Sequence, residues 1–471
     1  MKSFISVFLF LVCFQIISYG QKPDLNKQTA KNAPDWITNG IIYQIQPRAF
    51  TPEGTLKAAT EMLPHVADLG VTIVYLCPVF LADDDADTMT WSPRQKASKM
   101  NNPRNPYRMA DYYHVDPEYG IDADLKEFID ECHRLGLRVM LDMVYLHCGS
   151  KAVFLSENPD FVKRDENGSA IKAAWNWPAL NYKNNELREY LWQNMEYWVS
   201  KFDVDGFRCD VADGVPLDFW EAARDRLEKI RPDIGMLSEG GRREDQIKAF
   251  DINYSFTWFP VLKSVYEGKK TVADLRETWK KIAGERPAGA RFIRYIDNHD
   301  IANDDYHNRR ENRWGFAGVN AALVMNFTLD GIPFLYNGQE VADTARHSIF
   351  GRLPIYWANK ETPTGQMRLN LVRELCNMRK SEKILTSGGL EWVDNDQPDA
   401  VLSYSRKLKG EQILVVINLS HQTKCVHVQK YQNMKGQPFH SILADRISGN
   451  PYEGFEIQEY GFWVGKGKLE E

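Results

Sequence analysis

Between about residue 40 and residue 380 the chain alternates short apolar, β-branched runs with amphipathic stretches of helical period. Apolar residues recurring at helix spacing mark one face of a helix, and a short apolar run bounded by turn residues marks a buried strand. Strands read in this way begin at Ile41 (IIYQI), Val71 (VTIVYLC), Leu137 (LRVMLDMV), Val204 (VDGFRCD), Ile234 (IGMLSE), Phe250 (FDINYSF), Arg291 (RFIRYI) and Ile332 (IPFLYN). Helical stretches between them include 56–69, 122–135, 185–202 and 216–230. Repeated strand–helix units require a parallel sheet, and eight of them close it. The expected fold class is therefore α/β, a (β/α)8 TIM barrel spanning 35–382.

Two connections are longer than the rest, from about residue 80 to 106 and from about 149 to 182. Both leave the carboxyl rim, so both are placed to wall a cleft, the second as a short excursion after strand three. After about residue 383 the period becomes two, in AVLSYSRK and QILVVINLS around a KGE turn. That pattern predicts a C-terminal antiparallel β-sandwich domain over 383–471.

The chain of 471 residues is long enough for more than one domain, and its 43% apolar content is that of a water-soluble globular protein. A net charge of −6 with no basic run interleaved with aromatics excludes nucleic acid as the expected partner. The start, MKSFISVFLFLVCFQIISYG, has Lys2, an apolar stretch from Phe4 to Ile17, and small residues Ser18 and Gly20 in signal-peptidase spacing. The stretch falls short of the ~20 apolar residues that span a bilayer. Residues 1–20 are thus expected to be a signal peptide cleaved near Gly20, making the protein secreted or periplasmic, with no membrane span. Cys13 lacks the small neighbours of a lipoprotein signal. The remaining cysteines, Cys77, Cys132, Cys148, Cys209, Cys376 and Cys425, form no CxxC pair, which disfavours zinc. Disulfides are permitted by export but not demanded.

Three carboxylates end strands: Asp210 in VDGFRCD, Glu239 in GMLSEGG and Asp300 in IRYIDNHD. A strand–helix unit takes about 30 residues. Glu239 follows Asp210 by one such unit, and Asp300 follows Glu239 by two. All three then sit at the carboxyl rim, where barrels of this kind keep their chemistry. Arg208 and Asp210 are two apart and share a strand face. A guanidinium there is expected to lower the Asp210 pKa and suit it to a nucleophile. Glu239 needs the opposite tuning, to keep a proton for a leaving group. Two such carboxyls about 5–5.5 Å apart perform retaining glycoside hydrolysis. Asp300, beside His299, is placed to fix the sugar and stabilise positive charge.

At these residues the sequence resembles the α-amylase family of retaining glycoside hydrolases, over essentially the whole chain after the leader. DMVYLH (Asp142 to His147), GFRCD, SEG around Glu239 and DNHD (Asp297 to Asp300) are similar to the family's four short regions, in order. NPYRMADY, LNY at Leu180 and GIPFLYNGQE at Gly331 are similar to secondary segments. The resemblance implies Asp210 as nucleophile, Glu239 as acid/base and Asp300 as transition-state stabiliser. It places Arg208, His147, His299 and Tyr107 around the sugar, with Tyr107 stacking on its ring. The implied substrate is an α-glucan or maltooligosaccharide, cleaved at α-glucosidic, foremost α-1,4, bonds by double displacement. An α-glucan transglycosylase, or a non-catalytic sugar-binding subunit on the same fold, is the alternative.

Several positions depart from the family pattern. Leu146 stands where the family usually has an Asn, often a calcium ligand; no cofactor is expected, and calcium would need a site other than the one degraded there. Arg108 and Ala179 stand where acids are frequent, and FTPEGTLK lacks the Asp-rich calcium loop of some α-glucosidase relatives. Asp83, Asp84, Asp85 and Asp87 have calcium-loop spacing, but Thr88 replaces the turn Gly and Arg94 the closing acid, so a solvated acidic loop is expected. Asp142 is open between structural hydrogen bonding and substrate contact, and Trp175 and Trp177 between sugar platforms and packing. Endo against exo action, linkage preference and oligomeric state are left open by the sequence.

Overall fold

The computed structural model describes residues 24–304, 309–431 and 439–468. The expected leader, with Cys13, lies outside the described residues. Eight strands form a parallel sheet: β1 (Ile42–Ile45), β2 (Ile73–Leu76), β3 (Arg138–Met143), β4 (Gly206–Cys209), β5 (Gly235–Ser238), β6 (Ile252–Asn253), β7 (Ile293–Arg294) and β8 (Ile332–Tyr336). Their order is β6-β5-β4-β3-β2-β1-β8-β7, and a parallel bridge from Asn253 to Phe292 joins the two ends. The sheet is therefore a closed barrel in chain order, with each strand inside an expected run. Residues on both faces of β1, β2, β4, β5 and β8 are buried. That is why they read as continuous apolar runs and not as alternation.

The helices also fall where their period places them, at Leu56–Asp68, Asp122–Arg134, Asn185–Phe202 and Leu217–Ile230. Local chemistry sets their ends. Asn184 accepts from the N–H groups of Glu186 and Leu187, and Asp203, at φ 65°, ends the same helix in the left-handed region. Gly206 is required by a close approach: a Cβ there would lie 2.6 Å from the Gly235 carbonyl oxygen across the β4–β5 ladder.

The C-terminal strands are β9 (Gly389–Trp392), β10 (Val401–Leu408), β11 (Glu411–Asn418), β12 (Lys424–Val426), β13 (Phe439–Asn450) and β14 (Gly454–Lys468), all antiparallel in one sheet. Period two divides its faces. Ile413, Val415 and Ile417 belong to the core that continues into the barrel, while Leu414 and Val416 join Val426, Phe455 and Ile457 in a second core. Burial of both faces is that of a sandwich, built here from one continuous sheet. Its long hairpin carries register shifts between Ser441 and Leu443 and between Asp445 and Ile447, with Arg446 and Tyr460 at positive φ. Among the described residues all six cysteines are free, five of them buried and Cys425 exposed. No described helix is long and apolar enough to cross a membrane.

Candidate active site

Strand pairing brings the first two acids side by side. The Asp210 N–H donates to the Met143 carbonyl at 2.9 Å, and the Glu239 N–H donates to the Cys209 carbonyl at 3.0 Å. Both residues thus extend their ladders by one step onto the rim. Asp300 lies in a short helix (His299–Asp304) directly after β7. Tyr107 comes from the loop after β2, and His147 follows β3. Asp210, Glu239, Asp300, Tyr107, His147 and His299 line one cavity.

Arg208 lies directly beneath them, fully buried. Its Nη1 donates to Asp210 Oδ1 at 2.7 Å and to Asp142 Oδ1 at 2.5 Å. Its Nη2 stands 2.8 Å from Glu239 Oε2, an ion pair off the hydrogen-bond line. One guanidinium therefore clasps three carboxylates. Asp142 settles as a structural acid: it is fully buried, does not line the cavity, and accepts from the Tyr75 hydroxyl at 2.6 Å and the Tyr107 hydroxyl at 2.9 Å.

Hydrogen-bond partners fix the histidine tautomers. The Gln44 carboxamide oxygen accepts from the His299 backbone N–H at 3.2 Å, so its nitrogen donates to His299 Nδ1 at 2.7 Å. His299 then carries its proton on Nε2 and donates it to the Tyr107 hydroxyl at 2.7 Å, which in turn donates to Asp142. The Tyr107 ring stacks on His299, with centroids 5.3 Å apart and planes at 11°. His147 Nε2 faces only the Tyr107 carbonyl, at 2.8 Å, and must donate to it. Its Nδ1 is a buried acceptor with no partner among the described residues, in a wall of the cavity. Burial pushes the His147 pKa down to about 4, so the ring is neutral at ordinary pH.

The acids are tuned in opposite directions, and in one case against expectation. Burial raises Asp210 well above the usual carboxylate range, outweighing Arg208, with Glu239 and Asp142 adding to the rise. Arg208 does act downward, as its place on the strand face predicts, but burial outweighs it. Burial likewise raises Glu239, against Arg208 and with the help of Asp300. For Asp300 burial also acts upward, but Arg94 and Arg208, beside the His299 ring, outweigh it and hold the carboxyl well below its ordinary value. Arg94 makes this contact directly, with Nη2 2.9 Å from Asp300 Oδ1.

A strained turn completes the pair. Val211, immediately after Asp210, is held at φ 42°, ψ 47°, a left-handed conformation rare for a β-branched residue. Such strain persists where the surroundings impose it, often at functional sites. Here it aims the Val211 N–H at Glu239 Oε2, at 2.8 Å.

The two long loops wall the cavity. Trp175 lines it at φ 62° with its ring 5.7 Å from His147. Trp177 is buried behind, 4.5 Å from the same ring, and donates to the Thr90 carbonyl at 3.1 Å. The acidic run is solvated at Asp84 and Asp87, which are exposed, and half-buried at Asp85, but not at its first member. Asp83 is fully buried and accepts from the Lys151 and Asp85 N–H groups. Arg108 sits among the loop's oxygens, donating to the carbonyls of Asp83, Asp85 and Pro103 at 3.0, 3.1 and 2.9 Å. An organic cation thus organises a loop whose spacing suggests a metal. The Leu146 side chain carries no oxygen and packs toward Gly214, so it cannot ligate calcium as an Asn side chain would. Gln44, Tyr75, Ser92, Arg94, Asn105, Ile349 and Phe350 were not foreseen as part of the site. Only Gln44 carried a signal, an amide inside an otherwise apolar strand.

Residues 24–167 and 171–383 match the family model described as alpha amylase, catalytic domain. An intracellular maltogenic amylase from Bacillus subtilis (strain 168) is 26% identical over 447 residues, covering 84% of this chain and 71% of that protein. A cyclomaltodextrinase from a Bacillus species is 25% identical over 472 residues, covering 86% and 77%. Among solved structures, a maltogenic alpha-amylase from Thermotoga neapolitana superposes with a TM-score of 0.76 at 26% identity, over 92% of this chain and 99% of that one.

Proposed function

The chain belongs to the α-amylase family of glycoside hydrolases, and from that premise we propose that it cleaves α-1,4-glucosidic bonds in starch-derived glucans and maltooligosaccharides by double displacement. The observation that carries the reading is the clasp: two nitrogens of Arg208 hold Asp210 and Glu239 on one cavity wall. Asp210 is the nucleophile. Its direct bond from Arg208 Nη1 stabilises its ionised form against burial and the charges of Glu239 and Asp142, while Glu239 also faces the charge of Asp300. The proton shared by the pair therefore rests on Glu239, the general acid.

Asp210 attacks the anomeric carbon while Glu239 protonates the departing oxygen, and the bond between them breaks to leave a glycosyl–Asp210 ester. Asp300, kept ionised by its cationic neighbours, opposes the positive charge that develops on the sugar. Tyr107 offers a ring face and the unpartnered His147 Nδ1 accepts from a sugar hydroxyl. Glu239, now ionised, then takes a proton from water, which hydrolyses the ester. No step uses a metal. The run from Phe4 to Ile17 followed by Gly20 supports export of the enzyme; the amino-terminal sequence of the protein recovered from its host tests this.

Asp210→Asn abolishes sugar release from an activated maltoside while leaving the circular-dichroism spectrum intact; wild-type turnover would sink the assignment. Longer oligomers made from maltotriose would show transfer to sugar in place of water, and maltodextrin binding without any cleavage would show a sugar-binding subunit.

A further inference from the structure

The barrel floor, at the amino ends of the strands and away from the catalytic acids, carries a second cavity. It is lined by the starts of β7 and β8, by Trp279 and by the turn into β9. Four arginines, Arg286, Arg291, Arg294 and Arg406, line it against one acid, Asp330. Arg286 and Arg291 are half-buried and donate to the backbone carbonyls of Gly241, Arg242 and Lys31. Arg294 and Arg406 are buried, and so is Arg379 close by, on the helix Pro363–Ser381.

Charge does not balance here. Asp330 is already taken: Arg294 Nη2 donates to its Oδ1 at 2.7 Å, and Trp279 Nε1 to both oxygens at 3.0 Å. Arg406 donates to the carbonyls of Thr328, Leu329 and Gly388, and Arg379 to those of Phe327, Gly331 and Leu385. Neither has a carboxylate within ion-pair distance among the described residues. Carbonyls 327 to 329 close the helix Arg310–Thr328, and a helix end amounts to roughly half a negative charge. Three guanidinium groups thus face Asp330 and that half charge, leaving roughly one and a half positive charges uncompensated in an interior where unpaired charge is costly. Burial and the charge of Arg406 push Arg379 down to about 9, and burial with Arg294 lowers Arg406 against the pull of Asp330. Arg294 also has a donor to spare. Its Nε serves the Asp330 carbonyl at 2.7 Å and its guanidinium lies over the Trp258 and Phe292 rings, at 5.1 and 6.0 Å. Its Nη1 has no hydrogen-bond partner among the described residues, although the side chain is only 3% exposed.

We infer that this cavity is an anion site whose ligand is a phosphate dianion, free or on a small phosphomonoester, bound between Arg294 of the barrel and Arg406 of the C-terminal sheet. A phosphate group carries about 1.5–2 negative charges near pH 7, which matches the excess. Arg294 Nη1 and the second N–H of Arg406 Nη2 remain to supply charge-assisted bonds. The anion ties the two domains together at the end remote from the catalytic acids, so its effect falls on stability and not on turnover.

The test titrates the full-length protein with inorganic phosphate, then with glucose 6-phosphate, by calorimetry in chloride buffer of constant ionic strength. Saturable binding of one phosphate per chain is expected, with the melting temperature raised by about 2 °C or more at a hundredfold excess over Kd. Arg294→Met is expected to weaken binding about tenfold or more. Because Arg294 also holds Asp330, Gly389→Asp serves as a second variant. A Cβ on Gly389, in the cavity lining, meets nothing within 4 Å, so the fold is kept while the added carboxylate weakens binding about fivefold or more. Glucose 6-phosphate that displaces phosphate supports the site and marks a phosphomonoester as its ligand; phosphate bound without such competition supports it with the free ion. Absence of saturable binding, or a melting temperature raised equally by chloride, overturns the inference. So does binding that is unchanged in Gly389→Asp or in a folded Arg294→Met.

Discussion

Asp142→Asn separates the electrostatic account of this site from a merely steric one. The carboxylate accepts from Arg208 at 2.5 Å, Tyr75 at 2.6 Å and Tyr107 at 2.9 Å with no access to solvent. Asparagine has the same shape and one acceptor oxygen but no charge, and its NH2 faces groups that already donate. Losing the charge-assisted bond costs about 1.5–3 kcal/mol, with about 1 kcal/mol more for a hydroxyl left unpaired. A fall of about 3 kcal/mol is a large share of the usual 5–15 kcal/mol of domain stability. The second effect is on titration. Asp142 pushes both Asp210 and Glu239 upward, so removing its charge lowers both and leaves Arg208 to two acids instead of three. A neighbouring charge at an effective dielectric of about 20 is worth on the order of 2 kcal/mol, or about 1.5 pH units at 1.36 kcal/mol per unit. Glu239 must be protonated to assist departure, so activity is lost as pH rises through its pKa. Lowering that pKa moves the alkaline limb of kcat/KM down, and the acid limb set by Asp210 follows in the same direction. The assay is kcat/KM on an activated maltoside across pH, with urea denaturation followed by circular dichroism. Tyr75→Phe is the control: it deletes one bond and no charge, so it destabilises by about 1–2 kcal/mol without a comparable limb shift. An alkaline limb that stays put or moves up in Asp142→Asn refutes the reasoning.

Two further outcomes follow from buried groups away from the acids. Arg108→Met takes from the buried carboxylate of Asp83 its ion-pair partner at 3.5 Å and from the loop the donor to three carbonyls, and breaking a buried pair typically costs about 3–5 kcal/mol; a lower melting point and new protease cuts between residues 83 and 106 are expected, and an unchanged melting point counts against the cation-organised loop. Thiol labelling of the folded enzyme is expected to modify Cys425 alone among the six described cysteines, with the other five reacting only in denaturant; rapid labelling of a second thiol would contradict the packing of the barrel.

The barrel was legible because parallel strands buried on both faces leave continuous apolar runs, as in IVYL of β2 and GMLS of β5. The acids were legible because the strand–helix unit repeats and each acid ends a strand. What stayed hidden depends on distance along the chain. Arg94 meets Asp300 across a sequence separation of 206, and nothing local in WSPRQ announces that contact. The sign of the Asp210 shift is hidden because burial, which no local pattern reports, outweighs Arg208. Period two puts Arg208 and Asp210 on one face, but it says nothing of Asp142 from β3 or Glu239 from β5, which draw on the same guanidinium. Nothing local marks Asp83 as buried, because its partner Arg108 belongs to another turn of the loop.

That division of charge is also what lets the site work. Among the described residues four carboxylates, those of Asp142, Asp210, Glu239 and Asp300, face two arginines, Arg208 and Arg94. His299 adds little positive charge, because burial lowers its pKa although Asp300 acts against the shift. A water-poor pocket does not tolerate an excess of two negative charges, so it retains a proton. Asp300 cannot hold that proton, since its neighbours keep it ionised, and Asp142 spends its oxygens on three donors. The proton falls to the Asp210–Glu239 pair, both of which burial raises. Within that pair Arg208 Nη1 bonds Asp210 directly, whereas Glu239 is only approached off-line by Nη2 and bonded by one backbone N–H at 2.8 Å. The acid and the nucleophile are thus told apart by which nitrogen of one guanidinium each can reach, a distinction that Arg208→Lys, with a single nitrogen, could not preserve.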